Sequence, residues 1–220
     1  TTLARDIRKI VDNSKKVTKR TYSTVVPINP ELKGLLVKET ADIPLSSLVV
    51  PKSTLARFNR LIKEFFQRNK LLQHGLSNRR RLLLAGPPGT GKTMSAKVLA
   101  YELKLPLYTI QVDRMVTKFM GETSAKLRQV FDIMLLQQGV YFFDEFDALG
   151  GDRSLDNDVG EMRRVLNALL QFIEQDKSDS IIVAATNNPK LLDKALFRRF
   201  DDVICFGLPD EDDKRRLIKL

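Results

Sequence analysis

Eight residues, Gly86-Pro87-Pro88-Gly89-Thr90-Gly91-Lys92-Thr93, place two glycines five positions apart just before a Lys-Thr pair. Glycine adopts left-handed turns that other residues resist, so successive N–H groups can converge on one anion. A short apolar run, Arg81–Ala85 (RLLLA), precedes the loop, and Lys92–Leu103 reads as a helix after it. Strand, glycine-rich loop and helix in that order are the context a phosphate-binding loop requires. The helix N-terminus adds its positive dipole end. The Lys92 ammonium can then reach the outer phosphates of a polyphosphate, and the Thr93 hydroxyl can ligate Mg2+.

Tyr141-Phe142-Phe143-Asp144-Glu145 supplies a second chemical group. An apolar strand that ends in two acids delivers carboxylates to the carboxyl edge of a sheet, beside the loop. Asp144 is expected to hold Mg2+ through its water, and Glu145 to polarise an attacking water as general base. An acid pair alone is also an ordinary strand end or helix cap. Its place 52 residues after Lys92, with one strand and one helix between, favours the chemical reading. Asn187 ends the next apolar strand, Ile181–Thr186 (IIVAAT), and can orient water or the γ-phosphate. A strand-ending Asn is otherwise a routine turn residue.

The elements that must position these groups alternate. Strands are expected at Arg81–Ala85, Leu105–Gln111, Val140–Phe143, Ile181–Thr186 and Asp202–Phe206. Helices are expected at Lys92–Leu103, Ser124–Gln137, Val159–Glu174 and near Leu191–Leu196, with another beginning at Glu211. That alternation predicts a parallel sheet covered on both faces. Upstream, Pro51 and Ser53 open a helix running to about Leu72. Leu3, Ile7, Ile10 and Val11 suggest an amphipathic helix ending near Arg20, and Ala41–Pro51 reads as an extended connector.

The chain has 220 residues, 43% of them apolar and 29% charged, as suits a folded globular protein. No apolar run approaches the ~20 residues of a membrane helix. The first residues, TTLARDIRKIVDNSKK, lack a signal-peptide core and a starting Met, so a trimmed chain is expected. One cysteine, Cys205, and one histidine, His74, exclude an internal disulfide and a multi-histidine metal site. The net charge of +10 is uneven: residues 1–20 carry +5 and residues 52–81 carry +8. Such blocks attract nucleic acid or an anionic surface. They are also ordinary solvated helix faces, and Leu55, Phe58, Leu61, Ile62, Phe65 and Phe66 interleave the second block at helical spacing.

Together these motifs resemble the AAA+ ATPases, and within them the AAA clade of hexameric protein-remodelling machines, from about Ile43 to Leu220. The resemblance implies an α/β P-loop NTPase fold: a parallel five-stranded sheet flanked by helices, the AAA+ large subdomain, with the helical lid largely missing. It divides the chain into an N-terminal appendage (1–42, helix plus extended linker), the large subdomain (43–209) and a truncated lid start (210–220). GPPGTGKT looks like the family's Walker A, with Gly86, Pro87, Pro88, Gly89, Thr90, Gly91, Lys92, Thr93 and Met94 around ATP. YFFDEFDAL looks like its Walker B, with Thr93 and Asp144 in the metal places and Glu145 in that of the base. VAATNNPKLLDKAL resembles the sensor-1 segment and puts the sensor on Asn187. Phe197-Arg198-Arg199-Phe200-Asp201 resembles the arginine-finger segment, which reaches the neighbouring subunit's γ-phosphate. Arg199 is favoured as the finger because it precedes the Phe-Asp pair, with Arg198 second. The adenine is expected against the backbone of Ser47–Val50.

Lys118-Phe119-Met120-Gly121-Glu122 resembles the first pore loop. An aromatic ring and a flexible thioether pack on any side chain of a threaded polypeptide, and glycine lets the loop bend. The other reading is that Phe119 and Met120 are core residues, against which their polar neighbours argue. Gly150–Asp158 is either a second pore loop or a plain surface loop. The function implied is Mg2+-dependent ATP hydrolysis by a cytoplasmic homo-oligomer, a hexamer, that remodels, unfolds or threads protein clients, with no membrane role. The alternatives are an ATPase acting on nucleic acid as loader or motor, which the basic blocks support, and a nucleotide-gated assembly scaffold, against which Glu145 argues.

Overall fold

A computed structural model describes residues 32, 35–112, 114, 121–149, 156–191 and 194–218. Six strands form one sheet among them: β1 (Leu36–Glu39), β2 (Arg81–Ala85), β3 (Leu107–Gln111), β4 (Val140–Asp144), β5 (Ile181–Thr186) and β6 (Asp202–Cys205). Their order is β1-β3-β4-β5-β2-β6. β3, β4, β5, β2 and β6 run parallel in the register Tyr108↔Tyr141, Phe142↔Val183, Leu83↔Ala184 and Leu83↔Val203. These are the five parallel strands expected from the sequence.

The helices are α1 (Lys52–Phe66), α2 (Arg68–Gln73), α3 (Lys92–Leu103), α4 (Thr123–Leu136), α5 (Asp156–Gln175), α6 (Lys194–Phe197) and α7 (Glu211–Ile218). Alternate strand residues feed two cores. Leu83, Ile110, Phe143 and Ile182 meet Val130, Phe131 and Met134 of α4 and Leu169 and Ile173 of α5. Leu82, Leu84, Phe142 and Val183 meet Phe58 and Phe65 of α1 and Val98 and Leu99 of α3. With both faces covered, strand residues of either parity are buried, which is why these strands read as continuous apolar runs.

The sixth strand is an addition to the expected sheet. β1 lies in the stretch assigned from sequence to the appendage, and it pairs antiparallel with β3, Leu36 opposite Ile110. Leu32, Leu35 and Leu36 are buried beside Ile110 and Val112. Glu39 pins the other end: its carboxylate accepts the Thr109 hydroxyl at 2.7 Å and pairs with Lys97 at 3.0 Å. A four-residue edge strand, LVKE, that buries Leu36, exposes Val37 and Lys38 and half-buries Glu39 carries no clear period-two signal.

The expected helix from Pro51 to Leu72 is broken at Gln67, with no Gly or Pro to announce it. The segment before α1 contains a 3-10 turn, Leu45–Ser47, tied to α3 by Leu45 N–H donating to Glu102 Oε1 at 2.8 Å. Leu48 and Val50 are buried against the same face. Four of the nine cations in the basic block at residues 52–81 share three carboxylates. Arg57 pairs with Asp202, Arg60 with Glu64 (3.0 Å), Arg80 with Asp176 (2.7 Å), and Arg79 lies within 3.9 Å of both Glu64 and Asp202. Arg68 sits over the Phe65 ring, 4.8 Å from its centroid.

Candidate functional site

The parallel strands bring their carboxyl ends to one edge of the sheet. Along it stand Gln111 at the end of β3, Asp144 at the end of β4, Asn187 after β5, Gly86 after β2 and Phe206 after β6. Gly86 N–H donates to Thr186 O at 3.1 Å, and Phe206 N–H to Ala85 O at 2.7 Å, so the glycine loop leaves the sheet clamped on both sides. Only glycine fits at 86, where a Cβ would lie 2.2 Å from the Phe206 carbonyl oxygen. Gly89 and Gly91 serve differently. Their φ angles, +75° and +95°, are left-handed, and the space beside each is open.

The loop is fastened by its own side chains. The Thr90 hydroxyl donates to Pro87 O at 2.8 Å, and the Ser95 hydroxyl to Gly91 O at 2.9 Å. Lys92, the first residue of α3, is buried, and its Nζ donates to the carbonyls of Gly86 and Pro87 at 2.8 Å each. Burial pushes its pKa down, while the carboxylates of Asp144 and then Asp147 act in the opposite direction. The ammonium thus lies inside the loop, hydrogen-bonded to two carbonyls with the carboxylates of Asp144 and Asp147 acting on it, and the space beside Gly89 and Gly91 is open. That arrangement fits a polyphosphate. Thr93 is exposed on the first turn of α3. Its hydroxyl and the Asp144 carboxylate are oxygen donors suited to Mg2+, which takes few protein ligands and fills its shell with water and substrate phosphate.

Asp144 and Glu145 come where expected. Asp144 Oδ1 accepts the Glu145 N–H at 3.0 Å, and Glu145 is exposed with φ +52°. A left-handed non-glycine residue stores roughly 1–2 kcal/mol of strain. The strain turns the chain out of the strand line right after the metal-type carboxylate. Asn187 is exposed, its N–H bound by Asp147 Oδ1 at 3.1 Å, and Thr186 Oγ1 accepts the Asn188 N–H at 3.2 Å.

Two residues at this edge were not singled out from sequence. Asp147 is the third acid of Asp144-Glu145-Phe146-Asp147, and its spacing was the available signal. Gln111 stands opposite Asp144 in the β3–β4 register, and its Oε1 is buried without a partner. No pattern around Gln111 marks it.

The arginine segment is held from two sides. Phe200 packs edge-to-face on Phe146, ring centroids 6.2 Å apart. The Asp201 carboxylate accepts the N–H groups of Arg80 and Arg81 at 2.8 and 3.0 Å. Between these anchors Arg199 pairs with Glu174, and Arg198 is exposed with no side-chain partner among the described residues. Of the expected pore loop, Gly121 is exposed with φ +85°, while Phe119 and Met120 lie outside the described residues. Of Gly150–Asp158, residues 150–155 lie outside them, and 156–158 belong to α5. No helix among the described residues is long and apolar enough to cross a membrane.

A glycine loop at a helix N-terminus, an acid pair and a polar strand end on one carboxyl edge define a phosphate-binding α/β NTPase domain. Residues 82–208 match the family model "ATPase family associated with various cellular activities (AAA)". The uncharacterized AAA family ATPase y4kL of Sinorhizobium fredii is 35% identical over 99% of this chain and 67% of its own length. The proteasome-activating nucleotidase of Methanothermobacter thermautotrophicus is 32% identical over 87% of this chain, which spans 49% of that relative. The FIGL-1 AAA domain shares the fold, with a TM-score of 0.71 and 22% identity over 91% of this chain and 68% of its own. The chain belongs to the AAA family of ATPases.

Proposed function

We propose that this chain binds ATP with Mg2+ and hydrolyses it as one subunit of a homo-oligomeric ring, a hexamer, that remodels protein clients. The observation that carries the reading is the convergence of Lys92, the Asp144-Glu145 pair and Asn187, on the segments at and after the carboxyl ends of β2, β4 and β5, along one edge of the sheet. In this reading the loop from Gly86 to Gly91 receives the phosphates on its N–H groups, with Met94 behind it. Lys92 exchanges its two carbonyl partners for phosphate oxygens. Thr93 and Asp144 hold Mg2+, which when bound neutralises phosphoryl charge. Glu145 takes the proton of the attacking water, and Asn187 orients it. Catalysis is then positional and electrostatic.

An arginine from the neighbouring subunit completes the site. Arg199 is engaged by Glu174 in the single subunit, so Arg198 is the better candidate to reach across. Residues 43–209 act as the large subdomain, with β1 from the preceding appendage added to its sheet, and 210–220 begin the lid.

The remodelling of proteins rests on two supports. A relative is named for activating the proteasome, and Phe119-Met120 before Gly121 form a sequence suited to gripping polypeptide. The nucleic-acid alternative loses ground because Arg57, Arg60, Arg79 and Arg80 are committed to carboxylates. The experiment is Phe119→Ala in the full-length protein. ATPase should stay within about threefold while client unfolding falls, each engaged ring contributing about 1 kcal/mol of contact. Remodelling that survives the change, with DNA binding lost on neutralising Lys63, Arg68 and Lys70, would favour the nucleic-acid motor.

A further inference from the structure

The pairing of β4 with β5 runs from Val140↔Ile181 to Phe143↔Ala184. Beyond that point β5 keeps its register with β2 through Thr186, while β4 ends at Asp144 and turns through the left-handed Glu145. The two strand ends therefore part where Glu145 and Asn187 must face one substrate. A hydrogen bond bridges the gap: Asp147 Oδ1 accepts the backbone N–H of Asn187 at 3.1 Å.

Asp147 is well placed to hold that position. It lies in the 3-10 turn Phe146–Leu149, directly after the acid pair. The turn is anchored by Phe146, which is fully buried and meets Phe200 edge to face. A carboxylate accepting an N–H makes a charge-assisted bond, stronger than a neutral one.

We propose that Asp147 is a positioning residue of the hydrolytic site, holding the backbone of Asn187 across the β4–β5 gap so that the Asn187 amide stands opposite Glu145. This rests on the reading of Asn187 given above. Asp147 touches no reacting atom, and its effect passes through Asn187. A plain stabilising role would instead lower thermal stability and act independently of the Asn187 side chain.

A double-mutant cycle on the full-length protein separates the two. Asn187→Ala and Asp147→Ala should each lower kcat about tenfold or more, with the nucleotide Kd within about threefold of wild type. The double variant should be no slower than Asn187→Ala within about twofold, because nothing remains to be positioned. Asp147→Asn keeps an acceptor oxygen and should recover most of the rate. Effects that multiply in the double variant overturn the inference while leaving the role of Asn187 intact. So does an Asp147→Ala enzyme with wild-type kcat, or an Asp147→Asn enzyme as slow as Asp147→Ala. Wild-type kcat in Asn187→Ala overturns the reading of Asn187 and the inference with it. If Asp147→Ala does not fold, by thermal unfolding and nucleotide titration, Asp147→Glu runs the same cycle with the acceptor displaced by one methylene.

Discussion

Replacing Gly86 with alanine puts a methyl group 2.2 Å from the carbonyl oxygen of Phe206 and 3.0 Å from its carbonyl carbon. Both are backbone atoms of the segment leaving β6, so no rotamer change relieves the clash. Reaching even a 3.0 Å contact needs about 0.8 Å of separation between the loop and that segment. Two hydrogen bonds hold them together at that level, Gly86 N–H to Thr186 O and Phe206 N–H to Ala85 O. Overpacking costs about 1–3 kcal/mol, and each weakened bond about 1 kcal/mol. The whole is about 3–5 kcal/mol, or a fall in Tm of about 6–20 °C for a domain of this size. Gly89→Ala meets open space and suffers only its φ of +75°, a cost of about 1–2 kcal/mol. Thermal unfolding of both variants, with nucleotide titration, compares them. Gly86→Ala should be the less stable, and Gly89→Ala should fold but bind nucleotide poorly because its N–H groups are turned. A Gly86→Ala protein within about 3 °C of wild type would refute the clash argument.

Two further outcomes follow from the ion pairs. The Thr109 hydroxyl, with Lys97 beside it, holds the Glu39 carboxyl below the usual glutamate value against the opposing effect of burial. The stability this contributes is present above the unfolded-state pKa and lost as pH falls through the folded one. Glu39→Gln should therefore cost under about 1 kcal/mol at neutral pH, and in denaturant titrations the difference from wild type should start to shrink as pH falls below the unfolded-state value of about 4.3 and disappear once it has passed the lower folded-state value. Arg198→Ala should lower ATPase by about 10²-fold or more and be complemented by Lys92→Ala subunits in mixed assemblies, while Arg199→Ala should cost less than about tenfold. A larger loss from Arg199→Ala reverses the assignment.

The parallel sheet was legible in the sequence because burial on both faces makes RLLLA, VYFF and IIVAAT apolar throughout. The phosphate loop was legible because its glycines, lysine and threonine are contiguous, and the acid pair because a strand delivers it to the same edge. β1 was hidden because its stability comes from a distant neighbour, with Leu36 on Ile110 and Glu39 on Thr109, and not from its own pattern. The break at Gln67 has no local breaker. Gln111 becomes significant only through its register with Asp144. The arginine pair shows the same limit: adjacent in sequence, the two side chains are told apart by Glu174, which lies at the end of another helix.

The direct test of the account is Glu145→Gln in the assembled full-length protein, followed by nucleotide titration and phosphate release. The change keeps size and polarity and removes the proton acceptor. The nucleotide Kd should stay within about threefold of wild type while kcat falls about 10²-fold or more. Hydrolysis at the wild-type rate with binding intact would contradict Glu145 as the base, and with it the assignment of this carboxyl edge as the hydrolytic centre.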